Sequence, residues 1–139
     1  MENTIGVETK RGTQYILDHL PCENTRSILD IGCGDCTASK YFASKGNGVT
    51  ALGLNVREYG VEPEKLEGIE VIEDDFFNHD FGEARFDGIW AAHILEHTLN
   101  PGTFIEKTRS LLTDDGWLCI SVPPYKSLMV GGHVSTGWT

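Results

Sequence analysis

Apolar residues gather along this chain in short runs, each closed by glycine, proline or acidic residues, with stretches of helical spacing between them. The first run, Ser27-Ile28-Leu29-Asp30-Ile31, ends in Gly32-Cys33-Gly34-Asp35. Mostly apolar residues bounded by a turn predict a short buried strand, the pattern of a parallel sheet covered on both faces. Further strands are predicted at Val49–Asn55, Ile69–Ile72, Phe86–Ala91 and Trp117–Val122, the last ended by Pro123-Pro124. Val7 to Leu20 reads as a helix, with Gly12, Tyr15, Ile16, His19 and Leu20 along one side and Pro21 as its stop. Ala38, Tyr41, Phe42 and Lys45 line one face of a second helix, closed by Gly46-Asn47-Gly48. A third spans Thr103–Leu112, with Phe104, Ile105, Thr108, Leu111 and Leu112 as its buried face. Pro63 opens at most a short turn of helix through Leu66, and Asp114-Asp115-Gly116 reads as a turn. Strands alternating with helices predict an α/β domain with a doubly wound parallel sheet.

Strand, glycine turn, helix is the place where an open α/β sheet binds a nucleotide-like ligand. Glycine permits positive φ in the turn and lets a ligand approach the backbone closely. Asp30 stands just before that turn, where it is expected to fix the loop through its backbone N–H groups. Two ligand fingerprints compete here. The dinucleotide form needs Gly or Ala to close a six-residue G-x-G-x-x-G/A span, and the sixth position from Gly32 is Thr37.

The formal charge of −10 over 139 residues argues against nonspecific binding to nucleic acid or to an anionic membrane, since both need basic surface. No run of about 18 apolar residues is present, and the N-terminus lacks a basic-then-apolar signal, so a soluble cytoplasmic protein is expected. The length suits a single domain, residues 1–139. The four cysteines, Cys22, Cys33, Cys36 and Cys119, do not form a disulfide framework. Cys33-Gly34-Asp35-Cys36 is formally a C-x-x-C, but a zinc site needs a second ligand pair, and Cys22 and Cys119 are not spaced as one. No metal site is expected.

Asp30-Ile31-Gly32-Cys33-Gly34-Asp35-Cys36 resembles the first motif of class I S-adenosylmethionine-dependent methyltransferases, an acid followed by glycines at alternate positions, with Cys36 in the third glycine place. Phe86-Asp87, Leu95-Glu96-His97, Pro101, Phe104 and Leu111-Leu112 match the later pattern of members that act on small molecules, quinones or sugars. The likeness covers Ser27 to Pro124. It implies a Rossmann-like sheet of order 3-2-1-4-5, with S-adenosylmethionine as cofactor and a small-molecule, sugar or lipid-like acceptor. In the family two more strands follow, so the chain is expected either to be a C-terminally truncated methyltransferase or to manage with five strands. A bare edge at the fifth strand is expected to favour a homodimer.

The resemblance also implies roles for particular residues. Asp30, Gly32, Cys33 and Gly34 are expected to hold the cofactor. Asn55 stands where the family has an acid for the ribose, an amide in place of a carboxylate. Asp75 with Phe76 is the first choice for the adenine, and Asp74 the second. His93, just past the fourth strand, is the candidate general base and a cofactor neighbour, since histidine accepts a proton near neutral pH. His97 and His133 are further candidates. Three functions are compatible with this reading: a methyltransferase, a non-catalytic relative that binds the cofactor and acts through a partner chain, and a nicotinamide-dependent oxidoreductase, which the glycine spacing disfavours.

Overall fold

The computed structural model describes residues 13–23 and 26–123. Five parallel strands form one sheet in the order β3-β2-β1-β4-β5, as expected. They are β1 (Ser27–Ile31), β2 (Gly48–Gly53), β3 (Ile69–Glu73), β4 (Phe86–Ala92) and β5 (Leu112–Ser121). Helix α1 (Thr37–Ser44) connects β1 to β2, and α2 (Pro101–Leu111) connects β4 to β5. The chain leaves β1 for β2 on one side and later returns to pair β4 on the other, Ile28 opposite Val49 and also opposite Gly88. The carboxyl end of β1 is therefore the switch point of the sheet.

The period of two in β1 separates two cores. Leu29 and Ile31 join Leu52, Phe86, Ile89, Phe104 and Leu111 on the α2 face. Ile28 packs with Leu17, Phe42, Val49 and Trp90 on the other. Both faces are covered, so the strand has no solvent side to mark with polar residues. Asp30 is the exception. It is 2% exposed, and Ser39 Oγ of α1 donates to its Oδ2 at 2.7 Å. The expectation that Asp30 fixes the glycine loop is thus corrected: its side chain lies on the face of Ile28 and reaches the first turn of α1 instead.

Several boundaries also differ from expectation. Residues 13–19 are helical, and Leu17 is their buried residue, while Tyr15 and His19 are exposed; the rest of the expected helix lies outside the described residues. In α1 the buried residues are Ser39 and Phe42. Helix α2 begins at Pro101, behind an Asn100 cap whose Oδ1 accepts from the Thr103 amide at 3.0 Å. It ends at Leu111, with Ile105 43% exposed and Leu112 already the first residue of β5. Asp114-Asp115-Gly116 is a bulge within that strand, not a turn before it. Leu112 faces Phe86 and Trp117 faces Gly88, and the register shifts between these pairs. Asp87 holds this irregularity: its Oδ1 accepts from Thr113 Oγ1 at 3.2 Å, and its Oδ2 from the Ser27 amide at 3.0 Å.

Just past the bulge, the Trp117 indole lies close against β4 at Gly88. A Cβ at Gly88 would lie 2.3 Å from two atoms of that ring. Gly88→Ala should therefore destabilise the protein by about 1–3 kcal/mol, the usual cost of overpacking. A urea midpoint at unchanged m-value checks this.

Burial pushes the Asp30 carboxyl up from 3.8 to about 6, against the bonds from Ser39 that favour the charged form. A carboxyl raised in the fold stabilises it below the unfolded value and loses that contribution as pH rises through the folded one. Relative to Asp30→Asn, the wild type should lose about 2–3 kcal/mol of stability between pH 4 and pH 7. Denaturation of both proteins across that range measures the difference, and a pH-independent gap would contradict it.

Candidate functional site

A cavity of about 800 Å³ opens at the carboxyl ends of β1, β2 and β4, between the glycine turn, the segment after β3 and the start of α2. The turn is built by the ends of two strands. Gly32 and Cys33 both donate their amides to Leu52 O, at 2.8 and 3.0 Å, and Cys36 N closes a tight turn on Cys33 O at 2.8 Å. Gly32 and Gly34 have φ of +71° and +53°. A Cβ at Gly32 would meet Ile94 at 2.9 Å, whereas one at Gly34 would meet nothing within 4 Å. The backbone at Gly34 thus faces the open cavity.

Cys36 also has positive φ, +63°, a conformation that costs a side-chain-bearing residue energy and suits the glycine it replaces. Asp35 supports the turn, its Oδ1 accepting from the Thr37 amide at 3.0 Å and from Thr37 Oγ1 at 2.7 Å. Contact with the Cys36 thiol and burial both push the Cys33 thiol up. It is a packed, neutral group. All four cysteines are free, and the described residues contain no His, Cys, Asp and Glu cluster suited to a metal ion.

Opposite the turn stand Asp74, Asp75, Phe76 and Phe77. Each carboxylate is pinned from within its own loop. Asp74 accepts from the Asp75 amide at 2.8 Å and from His79 Nδ1 at 2.9 Å. The hydrogen bond from His79, with that amide, holds the Asp74 carboxyl below its ordinary range. Asp75 accepts from the Phe77 amide at 3.0 Å and from Asn78 Nδ2 at 3.2 Å. A carboxylate offers about four acceptor sites, so both keep capacity for a donor in the cavity. Phe76 is buried against Phe104 of α2, with ring centroids 5.1 Å apart.

His93 leaves β4 in a left-handed conformation, φ +55°, with its amide bonded to Ser121 O of β5 at 2.7 Å. This kink turns its ring out of the sheet and into the cavity lining, where His97, Thr98 and Leu99 follow. Between the two histidines lies Glu96, its side chain 2% exposed, with Oε1 4.0 Å from His93 Nδ1 and 3.6 Å from His97 Nε2. Its Oε2 has no hydrogen-bond partner among the described residues.

Gly32, Gly34, Asp74, Asp75, Phe76 and His93 are thus brought together, and His97 with them. Asp30 is sealed below the turn, Cys33 is packed beneath it, and neither lines the cavity. Asn55 does not line it either. Strand β2 ends at Gly53, and Asn55, at φ +53°, begins a 3₁₀ turn, Val56–Tyr59, while Leu54 and Tyr59 form the wall there. His133 lies outside the described residues. Sequence reasoning missed Tyr59, Ile94, Asn100 and Thr103 as lining residues; only their places just after strand ends or at a helix start could have signalled them.

The structure is similar to that of 1,6-didemethyltoxoflavin-N1-methyltransferase of Burkholderia thailandensis, with 29% identity and a TM-score of 0.64 over 79% of this chain and 50% of that one. In sequence, the chain is 30% identical over 105 residues to a ubiquinone biosynthesis O-methyltransferase of Glaesserella parasuis serovar 5 (strain SH0165), covering 69% of this chain and 44% of that protein. It is 32% identical over 119 residues to the Xylella fastidiosa (strain 9a5c) protein of the same name, covering 77% of this chain and 45% of that one. The chain therefore spans less than half the length of these relatives. The family model described as "Methyltransferase domain" matches residues 7–135, nearly the whole chain. On that match and the 3-2-1-4-5 sheet, this chain belongs to the class I S-adenosylmethionine-dependent methyltransferase family.

Proposed function

We propose that this protein transfers a methyl group from S-adenosylmethionine to a small-molecule acceptor held in the same cavity. One observation carries the reading: a single cavity at the switch point is lined at once by an open glycine turn, two pinned carboxylates, an aromatic wall and a histidine. The residues fit the cofactor's chemistry. Gly32 and Gly34 would meet its amino-acid end, since a Cβ at Gly34 would point into empty space. Asp75, or Asp74 beside it, would accept from the adenine amino group, with Phe76 against the ring. Gly53, Leu54 and Tyr59, which line the cavity where Asn55 does not, would lie along the ribose. Solved relatives are described as bound to S-adenosylhomocysteine or S-adenosylmethionine, which supports the same assignment.

When bound, the cofactor supplies a methyl group on a positively charged sulfur. The protein's own contribution is mainly to position the acceptor against the cofactor, which is the large term for a bimolecular displacement. His93 would take the proton that an acceptor oxygen or nitrogen loses on methylation. One similar protein is named an O-methyltransferase and another an N-methyltransferase, and both acceptor atoms can shed a proton. Ile94, Phe77 and Leu99 line the cavity and suit an acceptor with an apolar face. Free cysteines suit a reducing, cytoplasmic setting, and no helix among the described residues is long and apolar enough to cross a membrane. Strand β5 is an edge of the described sheet, and pairing along it would form a homodimer.

Two experiments test the reading. Gly34→Val places a branched side chain where the backbone meets the open cavity and strains a residue at φ +53°, so S-adenosylhomocysteine binding should fall by at least about tenfold in calorimetry, with a lowered melting temperature but unfolding still cooperative. Unchanged affinity would remove the turn from the site. His93→Ala should lower kcat for methyl release by about 10²–10³, the usual contribution of a general base, with cofactor affinity within about threefold of wild type. An unaltered kcat would leave His93 as a wall residue only.

A further inference from the structure

Lys107 is the one side chain of α2 that reaches across to the segment carrying Asp74, Asp75 and Phe76 as a hydrogen-bond donor among the described residues. It is half-buried, and its Nζ donates to Phe76 O and, at 2.8 Å, to His79 O. The same ammonium lies 4.8 Å from the centroid of the Phe76 ring and 5.5 Å from that of Phe81. An ammonium has three donors and no acceptor, so one Lys107 head group satisfies two carbonyls and faces two rings at once.

Those carbonyls stand where the loop needs an outside partner. Residues 75–79 form a tight turn, with the Asn78 and His79 amides both bonded to Asp75 O, at 3.1 and 2.9 Å. The Phe76 and His79 carbonyls point the other way and meet Lys107. His79 then donates to Asp74 at 2.9 Å, so one chain of bonds runs from α2 through the loop to a carboxylate of the cavity. Asp74, Asp75 and Asp80 are all near enough to act on the ammonium electrostatically, yet it spends its hydrogen bonds on main-chain carbonyls. This leaves the remaining acceptor capacity of the cavity carboxylates to a ligand.

We infer that Lys107 is a positioning residue for the purine end of the cavity, holding the Phe76–His79 loop so that Asp74, Asp75 and Phe76 keep the geometry that recognises an adenine ring. This rests on the reading of that loop as the adenine site. Nothing in the pattern of α2 singles Lys107 out, because a lysine on a half-exposed helix face is ordinary.

The test compares S-adenosylhomocysteine with S-inosylhomocysteine, in which the adenine amino group is replaced by a carbonyl oxygen, using calorimetry on the whole chain. Wild type should prefer the adenine form, since a carboxylate accepts from an amino group and repels a carbonyl. Lys107→Met keeps the apolar stem and removes the donors. It should weaken both forms through the lost support of Phe76, the adenine form by about tenfold more than the inosine form, so the preference collapses. Lys107→Arg keeps charge and donors and should recover most of the preference. A wild type without any preference would refute the adenine reading and this inference with it. A wild type with preference, matched by Lys107→Met, would refute the inference alone. Loss of cooperative thermal unfolding in both Lys107→Met and Lys107→Gln would make Lys107 a structural residue and equally overturn it.

Discussion

The buried bond between Asp30 and Ser39 is the constraint on which the site's geometry depends. A carboxylate in the middle strand of a sheet covered on both faces loses its hydration, and α1 offers it a hydroxyl at 2.7 Å in return. That bond fixes where the first turn of α1 sits over β1. The intervening residues must then turn back within a very short span, which forces left-handed conformations at Gly32, Gly34 and Cys36. The turn is tethered from its other side by Leu52 O, so neither β1 nor β2 can shift without carrying the floor of the cavity along.

The remaining walls are built by a different principle. Segments that leave strand ends are held by short local bonds, Asp75 to its own turn and Asn100 to its own helix, and then joined by one long side chain from α2. Rigid elements set the floor, and self-bonded loops set the walls. The proposed cofactor site would draw on both, its amino-acid end on the turn and its adenine on the loop after β3.

Most of the sheet was legible because each strand is a bounded apolar run, and the parallel class follows from helices between strands. The cavity-lining residues after strands β1, β3 and β4 are legible for the same reason: Gly34, Asp75 and His93 each stand a short step past an apolar run, at the carboxyl edge of the sheet. What failed did so for identifiable causes. Asn55 reads as strand by its apolar neighbours, but a left-handed residue ends β2 two positions early. Asp30 has the same letters whether it meets a loop amide or a serine nine residues on, and only the face of the strand decides. The Asp114-Asp115-Gly116 turn signal was real in composition, yet Asp87 captures Thr113 and folds the excursion into β5. Lys107 carries no signal at all, because it owes its place to contacts between distant segments.

The fit of the Trp117 indole over Gly88 ties two positions that lie far apart in the chain into one unit of inheritance. A larger residue at Gly88 meets the indole, so its cost depends on what stands at residue 117, and changes at the two positions are coupled rather than additive. An indole at residue 117 thus narrows residue 88 toward glycine, a constraint between strands that neither position reveals alone.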